Sequence, residues 1–363
     1  MNNLQTKIHW PATQWHTASP EEVDLNPTYL DQLDAFAESG EAIHSIAIVR
    51  NGKLCFERYY QGYHERRYHN INSCTKSVIN TLVGIALHKG FLPDLQQPLL
   101  QYFPEYQPAN LDPRKQKITL IHLMTMTSGY DTSTKSGEDN EIEEFLDRTA
   151  SIELMLDRVM VDAPGKSYRY DDLSMHLLGL ILQYVTDTSL AEIADTHLFE
   201  PLGIWRDEAG QPYPWTKDAS LIDERHPFGI WDESSTALWV QDQNGTPSGA
   251  FGLQLTTHEM AKFGFLYLQG GCWDDQQLLP SGFAQDALRP HIELSHSGYS
   301  NWVLAPGGEG AFALGHGGQI IAVMPKRDMV VVITASPYTS YDIGKVFEEF
   351  LMPAITNMQR KTT

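Results

Sequence analysis

The chain has only three cysteines among its 363 residues, Cys55, Cys74 and Cys272, and no Cys-x-x-Cys pair. Three thiols cannot make a disulfide framework, and an odd number leaves at least one unbridged, which points to a reducing compartment. No stretch reaches the roughly 20 uncharged apolar residues that a membrane helix requires. The first residues, MNNLQTKIHWPATQWH, carry no apolar run of the secretory kind, so the expectation is a cytoplasmic protein, or a periplasmic one had a leader been removed. Positive charge is scarce: 26 Lys and Arg stand against 46 Asp and Glu, a formal charge of −20. Such a chain repels phosphate backbones and anionic lipid, which argues against nucleic-acid and membrane partners and makes the acidity a matter of solubility. Two catalytic signatures are missing as well. There is no G-x-S-x-G elbow of an α/β-hydrolase. The strings HERRY at His64 and HEMAK at His258 lack the second histidine of a zinc peptidase, so neither metal nor cofactor is expected.

With 42% hydrophobic and 20% charged residues, the chain can fill a core of ordinary size. Asn26-Pro27 reads as an N-cap followed by proline at the first helical position, with Tyr29, Leu30, Leu33 and Phe36 at helical spacing behind it. HSIAIVR, Asn51-Gly52 and KLCFERYY form a hairpin pattern, because Asn-Gly supplies the two positive-φ residues of a type I′ turn. The far end repeats the device with QIIAVMP, a Lys326-Arg327-Asp328 turn and MVVVITAS, then closes on the helical pattern YDIGKVFEEFLMPAI. Between them lie long helical patterns: SVINTLVGIALHKG, LSMHLLGLILQYVTD and THEMAKFGFLYLQGG. The acidic run from Gly137 to Asp147 reads as a loop leading into a solvated helix face. The Trp-, Pro- and Asp-rich stretch from Trp205 to Gly245 reads as a long ordered loop of the kind that walls a site. Strands at both termini and helices between them predict an α+β fold. Residues 1–72 and 290–363 would form a discontinuous sheet domain, residues 73–289 a mainly helical one, and the site would lie at their interface.

Three elements carry chemistry. The first is Ser73-Cys74-Thr75-Lys76, the chain's only Ser-x-x-Lys, which opens a strongly apolar helix. Residues three apart share a helix face, so the lysine amine can meet the hydroxyl and activate it as a nucleophile. Chance supplies on the order of one such pair in a chain this long, and an exposed lysine at a helix start would look the same. The second is Tyr170-Asp171-Asp172 after the Pro164-Gly165 turn. A phenol just ahead of a helix can reach into a cleft, although Tyr168 and Tyr170 would equally serve as packing and Asp172 as an N-cap. The third is Gly315-His316-Gly317-Gly318-Gln319 ahead of a strand, where glycines allow main-chain N–H groups to line an oxyanion hole. In that setting the glycines carry more information than His316.

In order and spacing these elements resemble the penicillin-recognising serine hydrolases, in particular the class C β-lactamase branch, whose motifs are S-x-x-K, Y-x-N and K-T-G. Flanking segments are similar too: ITLIHLMTMTSGYD, HLFEPLGI, SGAFGLQLTTHEMAKFG and GHGGQIIAVMP. GYSNWV followed by ALGHGGQ resembles the 6-aminohexanoate-dimer hydrolases and related esterases within that family. The resemblance implies a β-lactamase/transpeptidase-like fold, Ser73 as the acylated nucleophile, Lys76 as base or relay, and Tyr170 as proton donor to the leaving group. It also implies an oxyanion hole from the Ser73 and Gln319 N–H groups, and a small ester or amide as substrate. A true β-lactamase or DD-peptidase is the alternative within the class; a catalytically silent binding protein is the alternative outside it. The sequence departs from the pattern twice. Asp172 stands where the family has Asn, and His316-Gly317 stand where β-lactamases have Lys-Thr. An anionic Asp172 beside Lys76 would favour the ammonium.

Overall fold

The computed structural model describes residues 10–11, 14–107, 109–110, 112–132, 149, 151–207, 210–212, 237–291, 298–299, 302–304, 308–336 and 338–356. The acidic run 137–147 and most of the Trp-rich stretch 205–245 lie outside them.

Six strands form one antiparallel sheet: β1 (Ile43–Arg50), β2 (Lys53–Tyr59), β3 (Trp302–Leu304), β4 (Ala311–Gly315), β5 (Gln319–Met324) and β6 (Met329–Ala335). Their order is β2-β1-β6-β5-β4-β3, so the first and last hairpins of the chain meet at β1 and β6. Asn51 (φ 52°) and Gly52 (φ 72°) make the tight turn that the Asn-Gly pair announces. The second hairpin turns through Pro325–Arg327 and ends on Asp328 in the left-handed region. Both faces of the central strands are covered, which is why β6 reads as an unbroken apolar run rather than an alternation. Met329, Val331 and Ile333 enter one core; Val330 and Val332 enter the other.

The outer face carries α1 (Pro27–Ser39) and the closing helical segment Ile343–Lys345, Val346–Leu351 and Met352–Ala354. Asn26 caps α1 by accepting the Thr28 N–H, with Pro27 at its first position. The inner face meets α2 (Thr75–His88), α3 (Asp172–Thr186) and α4 (Thr257–Leu268) through a second, larger core. From Thr75 to Ala86 every residue of α2 is buried, as expected of a helix apolar on all sides. α4 lies directly on the sheet: a Cβ at Gly264 would come within 2.6 Å of Val330 Cγ1 and 2.9 Å of Ile321 Cγ2. This helix, which falls inside the stretch 73–289, thus packs as a layer of the sheet. Among the described residues no helix is long and apolar enough to cross a membrane.

Candidate active site

Ser73 sits in a single 3-10 turn, Asn72–Cys74, that leads straight into α2. Asn72 adopts φ 48°, a left-handed conformation that asparagine tolerates better than most residues. Its side chain donates from Nδ2 to the His316 carbonyl at 2.9 Å. The β4–β5 turn presses on the same segment: a Cβ at Gly315 would lie 2.4 Å from the Ile71 carbonyl oxygen. The Ser73 turn and the glycine turn are therefore seated against each other, and Gly315 is what permits the approach. Gly317 (φ 79°) and Gly318 (φ 90°) hold conformations that side chains resist, whereas His316 is exposed.

Two side chains converge on the Ser73 hydroxyl. Lys76 donates from Nζ to Ser73 Oγ at 2.9 Å, and Tyr170 donates from its hydroxyl to the same oxygen at 2.6 Å. Lys76 is 1% exposed and also donates to the Ala250 carbonyl at 2.7 Å. Its third oxygen neighbour is Asp172 Oδ1, an ion pair at 2.8 Å. Two oxygens accept the Lys76 protons and a carboxylate stands beside it, so the charged form is the one this pocket fits. Burial by itself would depress the lysine, but the Asp172 carboxylate and the neighbouring phenol outweigh it and raise the pKa above its ordinary 10.5. Burial likewise lifts Tyr170; Asp172 adds to the rise and Lys76 opposes it. The Lys76 ammonium also lies 4.7 Å from the centre of the Tyr170 ring; the residue is 42% exposed overall, while its hydroxyl is turned inward to Ser73.

The cap of α3 is not Asp172, as one reading of the sequence has it, but Asp171. Asp171 is extended (φ −146°, ψ 96°) and accepts the Ser174 N–H at 3.1 Å, as an N-cap does. It is also paired with the buried Arg158 at 2.8 Å. Asp172 is the first helical residue, which turns its carboxylate toward Lys76. Arg169, a cation near the site, is engaged by Asp162 at 3.6 Å. Burial pushes the Cys74 thiol, next to Ser73, far above the ordinary cysteine range.

The carbonyl of Ala250 is a partner of Lys76 that motif reasoning passes over. Its only sequence signal is Ser248-Gly249-Ala250 ahead of Phe251. Gly249 is squeezed against α3, where a Cβ would meet the Met175 carbonyl oxygen at 2.3 Å. Gly249 N–H donates to buried His176 Nδ1 at 3.5 Å, and His176 Nε2 pairs with Asp242 at 3.2 Å. Among the described residues no cluster of His, Cys, Asp and Glu is suited to hold a metal ion.

A family model for beta-lactamase matches residues 34–342, nearly the whole chain. The chain belongs to the beta-lactamase family. Around this beta-lactamase-family chain stand both esterases and penicillin-binding proteins. Esterase EstB of Burkholderia gladioli is 28% identical over 188 residues, 45% of this chain and 46% of EstB. A structure assigned provisionally as a 6-aminohexanoate-dimer hydrolase, from Bacillus anthracis, superposes with a TM-score of 0.69 at 21% identity, covering 94% of this chain and 87% of that one. A penicillin-binding protein homologue from Caulobacter crescentus gives 0.62 at 14% identity, covering 88% and 92%. At these identities the structural likeness is one of fold, and it agrees with the β-lactamase/transpeptidase-like α+β fold implied by the motifs. The chain spans about half the length of the curated relatives it matches.

Proposed function

We propose that this protein is a serine hydrolase that passes small esters or amides through an acyl-enzyme on Ser73. The observation that carries the reading is Ser73 Oγ held at once by Lys76 Nζ at 2.9 Å and by Tyr170 at 2.6 Å. A serine hydroxyl is a weak nucleophile until a neighbour takes its proton. When one proton has left the Lys76–Tyr170 pair, the pair can accept that of Ser73 as Oγ bonds to the acyl carbon. The carbonyl oxygen then becomes an oxyanion, received by the main-chain N–H groups of Ser73 and Gln319 with the N-terminus of α2 behind them. Tyr170 returns the proton to the leaving alkoxide or amine, whose bond to the acyl carbon breaks. Water repeats the cycle on the ester of Ser73, giving up its proton to the pair, and the acid departs as Ser73 regains a proton.

The substrate side favours neutral groups. The third motif carries exposed His316 where β-lactamases carry lysine, and Arg169 is already paired with Asp162. Among the described residues, neither of these two offers a penicillin carboxylate a dedicated cation, whereas an ester or linear amide needs none. On this reading the reaction centre lies between a sheet part, residues 1–72 and 290–363, and a helical part, residues 73–289. Labelling with a fluorophosphonate probe tests the reading. Wild-type protein is expected to be acylated and Ser73→Ala not; labelling that survives Ser73→Ala would refute it.

A further inference from the structure

The proposed oxyanion donor, the Gln319 N–H, belongs to a peptide whose other end has a partner of its own. The Tyr341 hydroxyl donates to the Gly318 carbonyl at 2.8 Å. The edge of the ring abuts the same glycine: a Cβ at Gly318 would fall 2.5 Å from Tyr341 Cε1 and 3.3 Å from its Cδ1 and Cζ. Among the described residues every peptide bond is trans. In a trans amide the N–H points away from the C=O in the same plane, so a hand on the Gly318 carbonyl sets the direction of the Gln319 N–H. We propose that Tyr341 is a positioning residue of the oxyanion hole, fixing and polarising the Gly318–Gln319 peptide so that its N–H meets the oxyanion formed at acylated Ser73. The inference rests on the acyl-enzyme reading given above.

Two further features show why such a hand is needed. Gly317 and Gly318 are consecutive glycines at positive φ, the part of the chain with least resistance to a peptide rotation. Beyond them Gln319 is anchored: its Oε1 accepts the Ala335 N–H at 3.1 Å and its Nε2 donates to the Ala335 carbonyl. Before them, the His316 carbonyl is held by Asn72. The Gly318 peptide is the link between these two anchors, and Tyr341 grips it. Hydrogen bonds in series polarise one another, so a phenol donating to the carbonyl also makes the N–H of that amide a stronger donor. Burial pushes the Tyr341 phenol far above the ordinary tyrosine range, with Cys74 adding to the rise, so it stays a donor at any working pH.

Tyr341→Phe in the full chain keeps the ring against Gly318 and removes only the hydroxyl. Losing an oxyanion donor outright costs about 10²–10³ in kcat, and losing the support behind a group about 10–100. With p-nitrophenyl butyrate, kcat is expected to fall about tenfold or more while KM stays within about twofold, and the melting temperature should move by only a few degrees. The decisive readout is the infrared carbonyl stretch of the acyl-enzyme, formed with a slowly hydrolysed, carbonyl-labelled ester. A hydrogen-bonded carbonyl absorbs at lower frequency, so Tyr341→Phe is expected to move the band upward. An unshifted band overturns the inference whether kcat falls or not, since a purely structural loss would leave the surviving acyl-enzyme unchanged. If wild-type protein gives no acyl band, or Ser73→Ala keeps one, the acyl-enzyme reading itself fails. That result is distinct from a Ser73-dependent band that ignores Tyr341.

Discussion

Replacing Asp172 with Asn probes one of the two places at which this chain departs from the family pattern. The exchange preserves shape and removes one charge 2.8 Å from Lys76 Nζ. At that distance two unit charges attract by about 6 kcal/mol at an effective dielectric of ~20 and by about 1.5 kcal/mol in bulk water. Lys76 is buried but the Asp172 side chain is 38% exposed, which draws the figure toward the lower end. One pH unit corresponds to about 1.4 kcal/mol, so even the lower figure moves a titration by about one unit. The direction follows from the charges. Asp172 favours the ammonium and opposes the phenolate, raising both Lys76 and Tyr170. Its removal lowers both, so the prediction does not depend on which of them takes the serine proton.

The wild-type rate should therefore climb through the alkaline range, and the acidic limb of the Asp172→Asn profile should lie about one pH unit or more to the acid side. The assay is kcat/KM for a neutral p-nitrophenyl ester between pH 6 and 11, with melting temperatures taken at each pH. Stability has its own signature. Because the folded-state pKa of Lys76 is raised, the ion pair stabilises the protein fully below the ordinary lysine value of 10.5 and loses that contribution as pH rises through the folded value. The variant should therefore be less stable than wild type at neutral pH, and the gap should narrow only at the alkaline extreme. An unchanged rate profile together with an unchanged melting temperature would refute the electrostatic reasoning.

Ser73→Ala and Lys76→Ala should each remove most of the activity, with the double variant scarcely worse, because groups that act as one unit are not additive; losses that multiply in kcat/KM would separate them. Nitrocefin should be turned over far more slowly than the best p-nitrophenyl ester, and comparable rates would show that a cation has replaced the absent lysine. Gly249→Ala forces a Cβ toward the Met175 carbonyl oxygen and so displaces the neighbouring Ala250 carbonyl from Lys76. A destabilisation of about 1–3 kcal/mol in denaturant melts, with a drop in kcat larger than that explains, is the expected result.

How far the sequence could be read depends on the range of the interaction that carries each feature. Asn26-Pro27 and Asn51-Gly52 are local signals: a cap and a turn are decided by two or three adjacent residues, and both stand where the sequence places them. Ser73 and Lys76 are three positions apart at one helix start, so helical spacing allows the contact seen at 2.9 Å. Tyr170 is 97 positions from Ser73, and residue spacing could suggest only that it enters a cleft. The Lys76 contact with Ala250 spans 174 positions and uses a main-chain carbonyl, which no residue type announces. The role of Asp172, cap of α3 or partner of Lys76, is open in the sequence for a different reason. Asp171 and Asp172 are adjacent and chemically identical, and a one-residue difference in where the helix begins exchanges their roles. That single step sends one carboxylate to Arg158 and the helix end, and the other to Lys76, so the electrostatics of the site turn on a boundary that pattern reading resolves least well.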